Sequence, residues 1–540
     1  MSESTTYTGF WQESPRSGIL GWLLSTDHKR IGIMYLTCII SLFIVGAILG
    51  LAIRLELIAP GPTIMGAQTY NATFTVHGII MIFMFLIPSI PAAFGNLLLP
   101  IQIGARDVSF PKLNLLSWYC YIVGAVLAII AVFTGGGAPD TGWTFYVPFS
   151  TQTTTNVNLA AFAAFMLGFS SILTGINFVT TIHRLRCEGM TWGRLPLFVW
   201  TLYATAWIQV LATPMIGITL VLVILERVFG AGLFDAARGG DPILFQHLFW
   251  IYSHPAVYIM ILPGMGVISE IIPTFARKPL FGYWAMAFSS LGIAFAGSLV
   301  WAHHMYASGM SDFAVLVFSF LTFIVAIPSA IKVFNWVTTL YKGSIEMAPP
   351  MLYALAFIFN FAIGGLGGLA LGAAASDIHL HDTYFVVGHF HYVMFGGGGF
   401  ALFAAMHYWL PKFTGRMYNH KVAVIGWALL FVGFNVTYFT MQAVGVAGMP
   451  RRYYDYLPEF TTLNQVATAG SWVMAAGLII MFVNLWQGMR SGRPVRMNPW
   501  GATTLEWEVP SPPPLENFGK QDPVVTKGPY NFKGVVADEY

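Results

Sequence analysis

The chain has 540 residues, of which 56% are hydrophobic, 16% aromatic and only 9% charged. That much apolar surface cannot be hidden inside a water-soluble particle, and the apolar runs repeatedly reach about 20 residues, the length that crosses a bilayer. A net charge of +3 is too small and dispersed to imply a nucleic-acid partner, and Cys38, Cys120 and Cys187 show neither a CxxC nor a disulfide spacing, so any metal here must use nitrogen or oxygen ligands.

Residues 1–26 are polar and lack the charged-then-apolar pattern of a cleavable leader, so they read as an N-terminal tail. Hydropathy then predicts an all-α polytopic membrane domain over 27–490. Its twelve spans lie near 31–53, 74–100, 115–135, 158–183, 197–226, 244–271, 281–305, 313–338, 350–373, 384–410, 421–445 and 467–488. Residues 491–540, with the run Pro510-Ser511-Pro512-Pro513-Pro514, read as an extended Pro-rich surface tail. Alternate loops give one face most of the Lys and Arg residues, whereas the other has only Arg54, Arg227, Arg238, Arg451 and Arg452. The positive-inside rule therefore predicts both termini in the cytoplasm. The adjacent Arg451 and Arg452 on the opposite face then require an anionic partner.

With that topology, His77, His254, His303, His304, His389 and His391 come from four spans and gather in the outer half of the bilayer. At about 1.5 Å per residue, His77, His254, His389 and His391 lie roughly 5–15 Å inside their outer helix ends, with His303 and His304 near the outer end of their own span. One intramembrane histidine is more often a polar group satisfied by backbone carbonyls. Several unpaired imidazoles at one depth would be costly, which favours shared metal binding. His254 with the adjacent His303 and His304 makes a three-imidazole site suited to copper with an open position. His389 and His391 leave a helix about 200° apart, so one helix could serve two centres; His77 and His391 could then be two axial haem ligands and His389 the single ligand of a second haem. Tyr258, one turn after His254, is either a packing residue or a source of an electron and a proton beside an open metal pair.

The runs Thr75-Val76-His77-Gly78-Ile79-Ile80-Met81, His254-Pro255-Ala256-Val257-Tyr258, Trp301-Ala302-His303-His304-Met305 and His381-Asp382-Thr383-Tyr384-Phe385-Val386-Val387-Gly388-His389-Phe390-His391-Tyr392 closely resemble subunit I of the haem-copper terminal oxidases, of the A type. The resemblance covers roughly residues 20–500. It implies that His77 and His391 bind low-spin haem a, that His389 binds high-spin haem a3, and that His254, His303 and His304 bind the copper CuB, with Tyr258 cross-linked to His254. It further implies that Arg54 partners the haem a formyl, that Arg451 and Arg452 partner propionates with Trp143 nearby, and that His381 and Asp382 belong to an outer Mg²⁺ site.

Two proton routes follow from the same resemblance. Taken singly, Asp107, Asn96, Asn114, Ser170, Ser171 and Asn177 read as caps or solvated polar residues; together they resemble the family's D-channel. Lys332 is expensive inside its apolar span unless it lines water, and with Ser329, Ser269 and Tyr258 it resembles the K-channel. One departure stands out. Most A-type members carry Glu two residues after the copper-ligand histidine, but this chain has Ala256 and instead presents Tyr252 and Ser253, as in the branch with a Tyr-Ser pair. Tyr252 is one helical turn from Ala256, so its hydroxyl is expected to project toward the space the carboxyl would occupy.

The resulting expectation is the catalytic subunit of a proton-pumping oxidase in a bacterial cytoplasmic membrane. It would reduce O₂ to water with electrons from cytochrome c or a fused cytochrome c domain, beside a copper-containing subunit II and a subunit III. A quinol oxidase is disfavoured because Val45, Leu49, Thr69 and Ala72 stand at the positions matching the quinone-site residues of quinol-oxidising relatives. Nitric oxide reductase is disfavoured by Tyr258 and Lys332. A non-catalytic bis-histidine haem protein would leave His254, His303 and His304 unexplained.

Overall fold

A computed structural model describes residues 9–12, 18–519, 521–532 and 534–535. Of the two tails, residues 1–8, 13–17, 520, 533 and 536–540 lie outside the described residues. Among those described, eleven helices are long and apolar enough to cross a membrane: α1 (His28–Glu56), α2 (Ala67–Gln102), α3 (Pro111–Phe133), α4 (Val157–Arg184), α5 (Leu197–Phe229), α6 (Pro242–Ala276), α8 (Asp312–Leu340), α9 (Pro349–Gly372), α10 (Tyr384–Thr414), α11 (His420–Val446) and α12 (Pro458–Ser491). The expected seventh span is the shorter helix α7 (Tyr283–Gly297). It stops because Ser298 begins a turn, and His303 and His304 therefore sit not at the end of a span but on the separate 3₁₀ turn Trp301–Met305.

Helices are the form in which a chain inside lipid satisfies its own backbone, and the sequence places caps where each must begin. Asp27 accepts from Arg30 N to start α1, Asp241 from Ile243 N to start α6, and Thr383 from Phe385 N to start α10. Sequence neighbours pack against one another: α3 with α4, α4 with α5, α5 with α6, and α11 with α12. Helices α2, α6 and α10 are almost wholly surrounded by protein, whereas α8 turns Phe313, Leu316, Phe320 and Ile327 outward. The opposite face of α8 carries Lys332, Asn335, Trp336 and Thr339, all buried and spaced as one helical stripe.

The three central helices supply four of the six histidines. Helix α2 widens into π turns at Ile80–Leu86 and Ser89–Gly95, and α10 at Met394–Gly399. Pro91 in the first case and Gly396-Gly397-Gly398-Gly399 in the second lie within those turns, and such bulges recur where a helix is adapted to a site. His77 and His391 both lie just before one.

The C-terminal tail differs from an extended surface segment. It is irregular, but it is fastened across the ends of the helices: Met417 and Arg416 pair antiparallel with Arg493 and Pro494, and Trp500, Glu506 and Trp507 are buried. Tyr408 O accepts from Trp500 Nε1 at 2.9 Å, and Glu506 Oε1 accepts from Gln102 Nε2 at 2.9 Å and Trp409 Nε1 at 3.1 Å. Large indoles and a paired carboxylate among the Pro residues make this segment part of the core, which a count of prolines does not reveal.

Candidate metal and haem centre

Three imidazoles from α6 and the 3₁₀ turn converge. His254 Nδ1 lies 3.0 Å from His304 Nε2, the His254 and His303 ring centres are 4.3 Å apart, and one ligand atom from each of the three lies within 4.8 Å of the others. Two nitrogens each about 2.0 Å from one metal, at a tetrahedral angle, stand about 3.3 Å apart, so the spacing suits a shared ion. Neighbours fix the rings. Thr322 Oγ1 meets His303 Nδ1 at 3.0 Å and gives its own hydrogen to Phe318 O at 2.6 Å, so the hydroxyl accepts from Nδ1 and leaves His303 Nε2 as the lone pair. The indole of Trp250, one turn before His254, stacks on His304 at 3.7 Å and 12°. His254 Nε2 is buried without a hydrogen-bond partner, and the Tyr258 ring lies edge-on 4.9 Å from the His254 ring.

The remaining three histidines share one device. His77 Nδ1 donates to Gly46 O at 2.8 Å, His389 Nδ1 to Gly364 O at 2.9 Å, and His391 Nδ1 to Val387 O at 2.9 Å. Each Nε2 is thereby left with its lone pair. Glycines give these rings room: a Cβ on Gly50 would stand 3.1 Å from His77 Cε1, and one on Gly368 3.0 Å from His389 Cε1. All six histidines line a single cavity of about 1370 Å³, beyond the roughly 300–1,000 Å³ of an ordinary single-ligand pocket. It has room for two large flat groups.

One end of the cavity is basic. Arg54 Nη2 donates to Asn464 O at 2.9 Å, Asn464 Oδ1 at 3.0 Å and Thr468 Oγ1 at 3.2 Å, while its buried Nε and Nη1 have no partner. Those two donors fit an acceptor on a bound group. Arg451 pairs with Asp382, Nη2 to Oδ1 at 2.6 Å. Arg452 lies over the Phe74 ring at 5.7 Å, and burial together with adjacent Arg451 lowers it to about 10. An anion beside them would relieve that repulsion. Trp143 lines the same end and packs on Trp250, with Gly78 kept small beneath it. His381 Nδ1 bonds Asp377 Oδ2 at 2.9 Å, which raises His381 despite its burial, and its Nε2 lies 3.8 Å from Asp382 Oδ2. Burial alone would raise Asp382, but Arg451 and His381 outweigh it and hold the carboxylate low.

The expected proton-route residues fall into two groups. Asn114 Nδ2 donates to Asn96 Oδ1 at 2.7 Å, and Ser170 Oγ, Tyr35 OH and Ser117 Oγ form a chain with links of 2.9 and 3.1 Å. Ser171 Oγ is buried without a partner, whereas both amide atoms of Asn177 bond the Phe110 backbone and tie down the loop before α3. Burial, reinforced by Asp27, pushes the Asp107 carboxyl up to about 7. In the second group Lys332 Nζ, fully buried, donates to Ser290 Oγ at 2.8 Å and Met286 O at 3.0 Å, while Trp336 Nε1 donates to Ser269 Oγ at 3.0 Å. Ser329 reaches the cavity. Tyr252 is buried beside Thr213 of α5, and Ser253 Oγ is buried without a partner.

A bundle with three carbonyl-tethered histidines around one large apolar cavity, and an open three-imidazole cluster at its wall, is a membrane-embedded redox centre. Comparisons with known proteins agree. Residues 30–479 match the family described as cytochrome c and quinol oxidase polypeptide I. Cytochrome c oxidase subunit 1 of Synechocystis sp. is 45% identical over 94% of this chain and 91% of the relative, and those of Thermostichus vulcanus and Bacillus subtilis are each 43% identical, over 94% and 93% of this chain and 92% and 81% of the relatives. A haem-copper terminal oxidase dimer solved by cryo-EM shares the fold, with a TM-score of 0.75 at 22% identity over 86% of this chain and 85% of that one. The chain belongs to the family of cytochrome c and quinol oxidase polypeptide I, the haem-copper oxidase subunit I, and is the catalytic subunit of a terminal oxidase. That family binds haems and copper, and the orphaned nitrogens here fit both.

Several participants escape sequence reasoning. Thr322, Ser290, Ser117 and Asn464 are polar helix residues with nothing local to pair them with a histidine, lysine or arginine far away in sequence. Trp250 was within reach of such reasoning, since it shares a helical face with His254 at i, i+4.

Proposed function

We propose that this chain is an A-type subunit I that reduces O₂ to water and pumps protons, with cytochrome c as donor, working beside a copper-carrying subunit II and a subunit III in a bacterial cytoplasmic membrane with both tails inside. The observation that carries the reading is the single cavity walled by His77, His389 and His391 with bonded Nδ1 atoms and, next to them, His254, His303 and His304. On this reading His77 and His391 hold haem a, His389 holds haem a3, and His254, His303 and His304 hold CuB. When bound, these groups supply electron transfer and O₂ activation. With the haems bound, Arg54 would donate to the formyl and Arg451, Arg452 and Trp143 would flank propionates, and His381 with Asp382 would contribute to a Mg²⁺ site completed by a neighbouring subunit. Tyr258 delivers a proton and an electron beside His254.

Protons enter in two places. Asp107, Asn96, Asn114, Ser170 and Ser171 form a route that ends near Tyr252 and Ser253, where a phenol replaces the carboxyl and relays rather than stores the proton. Lys332, with Ser329 and Ser269, serves the other. Val45, Leu49, Thr69 and Ala72 offer a quinol no charged partner. O₂ uptake by the purified oxidase with reduced cytochrome c and with a quinol, together with chromatographic identification of extracted haem, tests the reading. Rapid uptake with cytochrome c alone and haem a are expected; turnover with quinol alone, or haem o, would overturn the donor or the haem assignment.

A further inference from the structure

The C-terminal tail packs against the loop that carries Asp107, and Asn517 is bonded to that loop's backbone. Asn517 is completely buried in the left-handed region at φ 57°. Its Oδ1 accepts from Lys29 Nζ at 2.9 Å, and its Nδ2 donates to Ala105 O at 2.9 Å and Arg106 O at 3.0 Å, the two carbonyls immediately before Asp107. The same Nδ2 lies 3.0 Å from His28 Nε2, and His28 Nδ1 meets Asn96 O at 2.6 Å, so one amide joins the Asp107 loop to the next residue of the route. Lys29, also fully buried, holds Asp27 Oδ2 at 2.8 Å and the tail carbonyl of Leu515 at 2.8 Å. Arg106 fastens the tail from outside through Asp522 at 3.2 Å and Glu516 at 3.9 Å.

We infer that the tail residues Leu515, Glu516, Asn517 and Asp522 form a working wall of the proton entrance, and that Asn517 is a positioning residue that sets the surroundings in which Asp107 takes up its proton. The inference rests on the reading of Asp107 as the entry group. The charged and titratable groups around Asp107 are Asp27, His28 and Lys29 at the start of α1, Arg30 beside Asp27, Arg106 next in the chain, and Glu516 and Asp522 of the tail. Asp27 is held below the usual range by Lys29 and His28 against the effect of its burial, so it stays charged and repels a charge on Asp107. The wall adds desolvation, the larger cause of the raised Asp107. A tail that merely covered the surface would need no fully buried amide bonded to the two carbonyls before Asp107.

Two substitutions act in opposite directions. Asn517→Gly keeps the left-handed backbone and removes the amide, admitting water beside Asp107. Asn517→Asp keeps the shape and adds a negative charge near Asp107. With assembled oxidase, verified by its haem spectrum, O₂ uptake and proton uptake are measured against pH. The alkaline limb governed by Asp107 should move to lower pH in Asn517→Gly and to higher pH in Asn517→Asp, each by about one unit, because solvation lowers and a like charge raises a carboxyl. A structural role alone would lower yield or rate at every pH without moving the midpoint. If Asp107→Asn slows turnover but neither Asn517 variant moves the midpoint, the inference is wrong; if Asp107→Asn leaves turnover unchanged, the entry reading itself is wrong. Should the glycine variant not assemble, the aspartate variant decides alone: an alkaline shift supports the inference, and an unmoved midpoint overturns it.

Discussion

Replacing Thr322 by Val keeps volume and β-branching on α8 and deletes one oxygen. That oxygen gives its hydrogen to Phe318 O and accepts from His303 Nδ1 at 3.0 Å, so it fixes which imidazole nitrogen of His303 faces His254 and His304. Outer-shell partners of this kind are worth about 10–100-fold in metal affinity, or about 1.4–2.7 kcal/mol. Thr322→Val should therefore lose copper at about 10–100-fold lower chelator than the unsubstituted enzyme, while Thr322→Ser, which retains the hydroxyl, should not. The assay is copper per haem by plasma mass spectrometry after dialysis against a chelator series, with the haem spectrum as a check on folding. If Thr322→Val held its copper at every chelator concentration that the parent withstands, the assignment of His303 Nε2 as a ligand would be refuted.

Lys332→Met removes the bonds to Ser290 and Met286, but Ser290 Oγ keeps its own bond to Met286 O at 3.1 Å, so assembly should survive while O₂ turnover falls about 100-fold or more; turnover within twofold of the parent would remove Lys332 from the proton route. Arg54→Met takes two unpartnered donors away from one side of the cavity, and should shift the visible absorption of one haem and not the other; an unchanged spectrum would deny Arg54 that contact. Tyr252→Phe should slow proton delivery and reduce pumping, and equal stoichiometry with equal turnover would show that the phenol carries no proton. Glu506→Ala should cost about 1–3 kcal/mol of thermal stability by stranding Gln102 Nε2 and Trp409 Nε1, with Glu506→Gln far milder; equal melting of the two variants would contradict the bonding described for the tail.

The parts of the molecule that a bilayer dictates are legible in the sequence. Long apolar runs mark the spans, and intramembrane histidines announce themselves because nothing else makes them tolerable in lipid. His389 and His391 illustrate this well: their two-residue spacing separates them on α10, and the structure bonds them to different helices, His389 to Gly364 and His391 back to Val387. What stays hidden depends on contacts between distant segments. Nothing around Asn517 signals that it lies beside Lys29, 488 residues earlier, and a Pro-rich stretch reads as exposed although Trp500 and Trp507 are buried in it. The short α7 shows a different limit. Hydropathy runs through residues 281–305, yet the helix ends at Gly297, because His303 and His304 are carried by a tight turn that no apolar average detects.

The most direct test of the central claim is a count of metals and haems in the purified oxidase, joined to its reduced spectrum with and without carbon monoxide. The proposed ligation, one haem held by two histidines, one by a single histidine and a copper by three, predicts two haems and one copper for this chain, with carbon monoxide altering only one haem. Substituting His389 should abolish the carbon monoxide response and leave the other haem's spectrum in place. Absence of copper from the His254, His303 and His304 site, or two haems that both ignore carbon monoxide, would contradict the account.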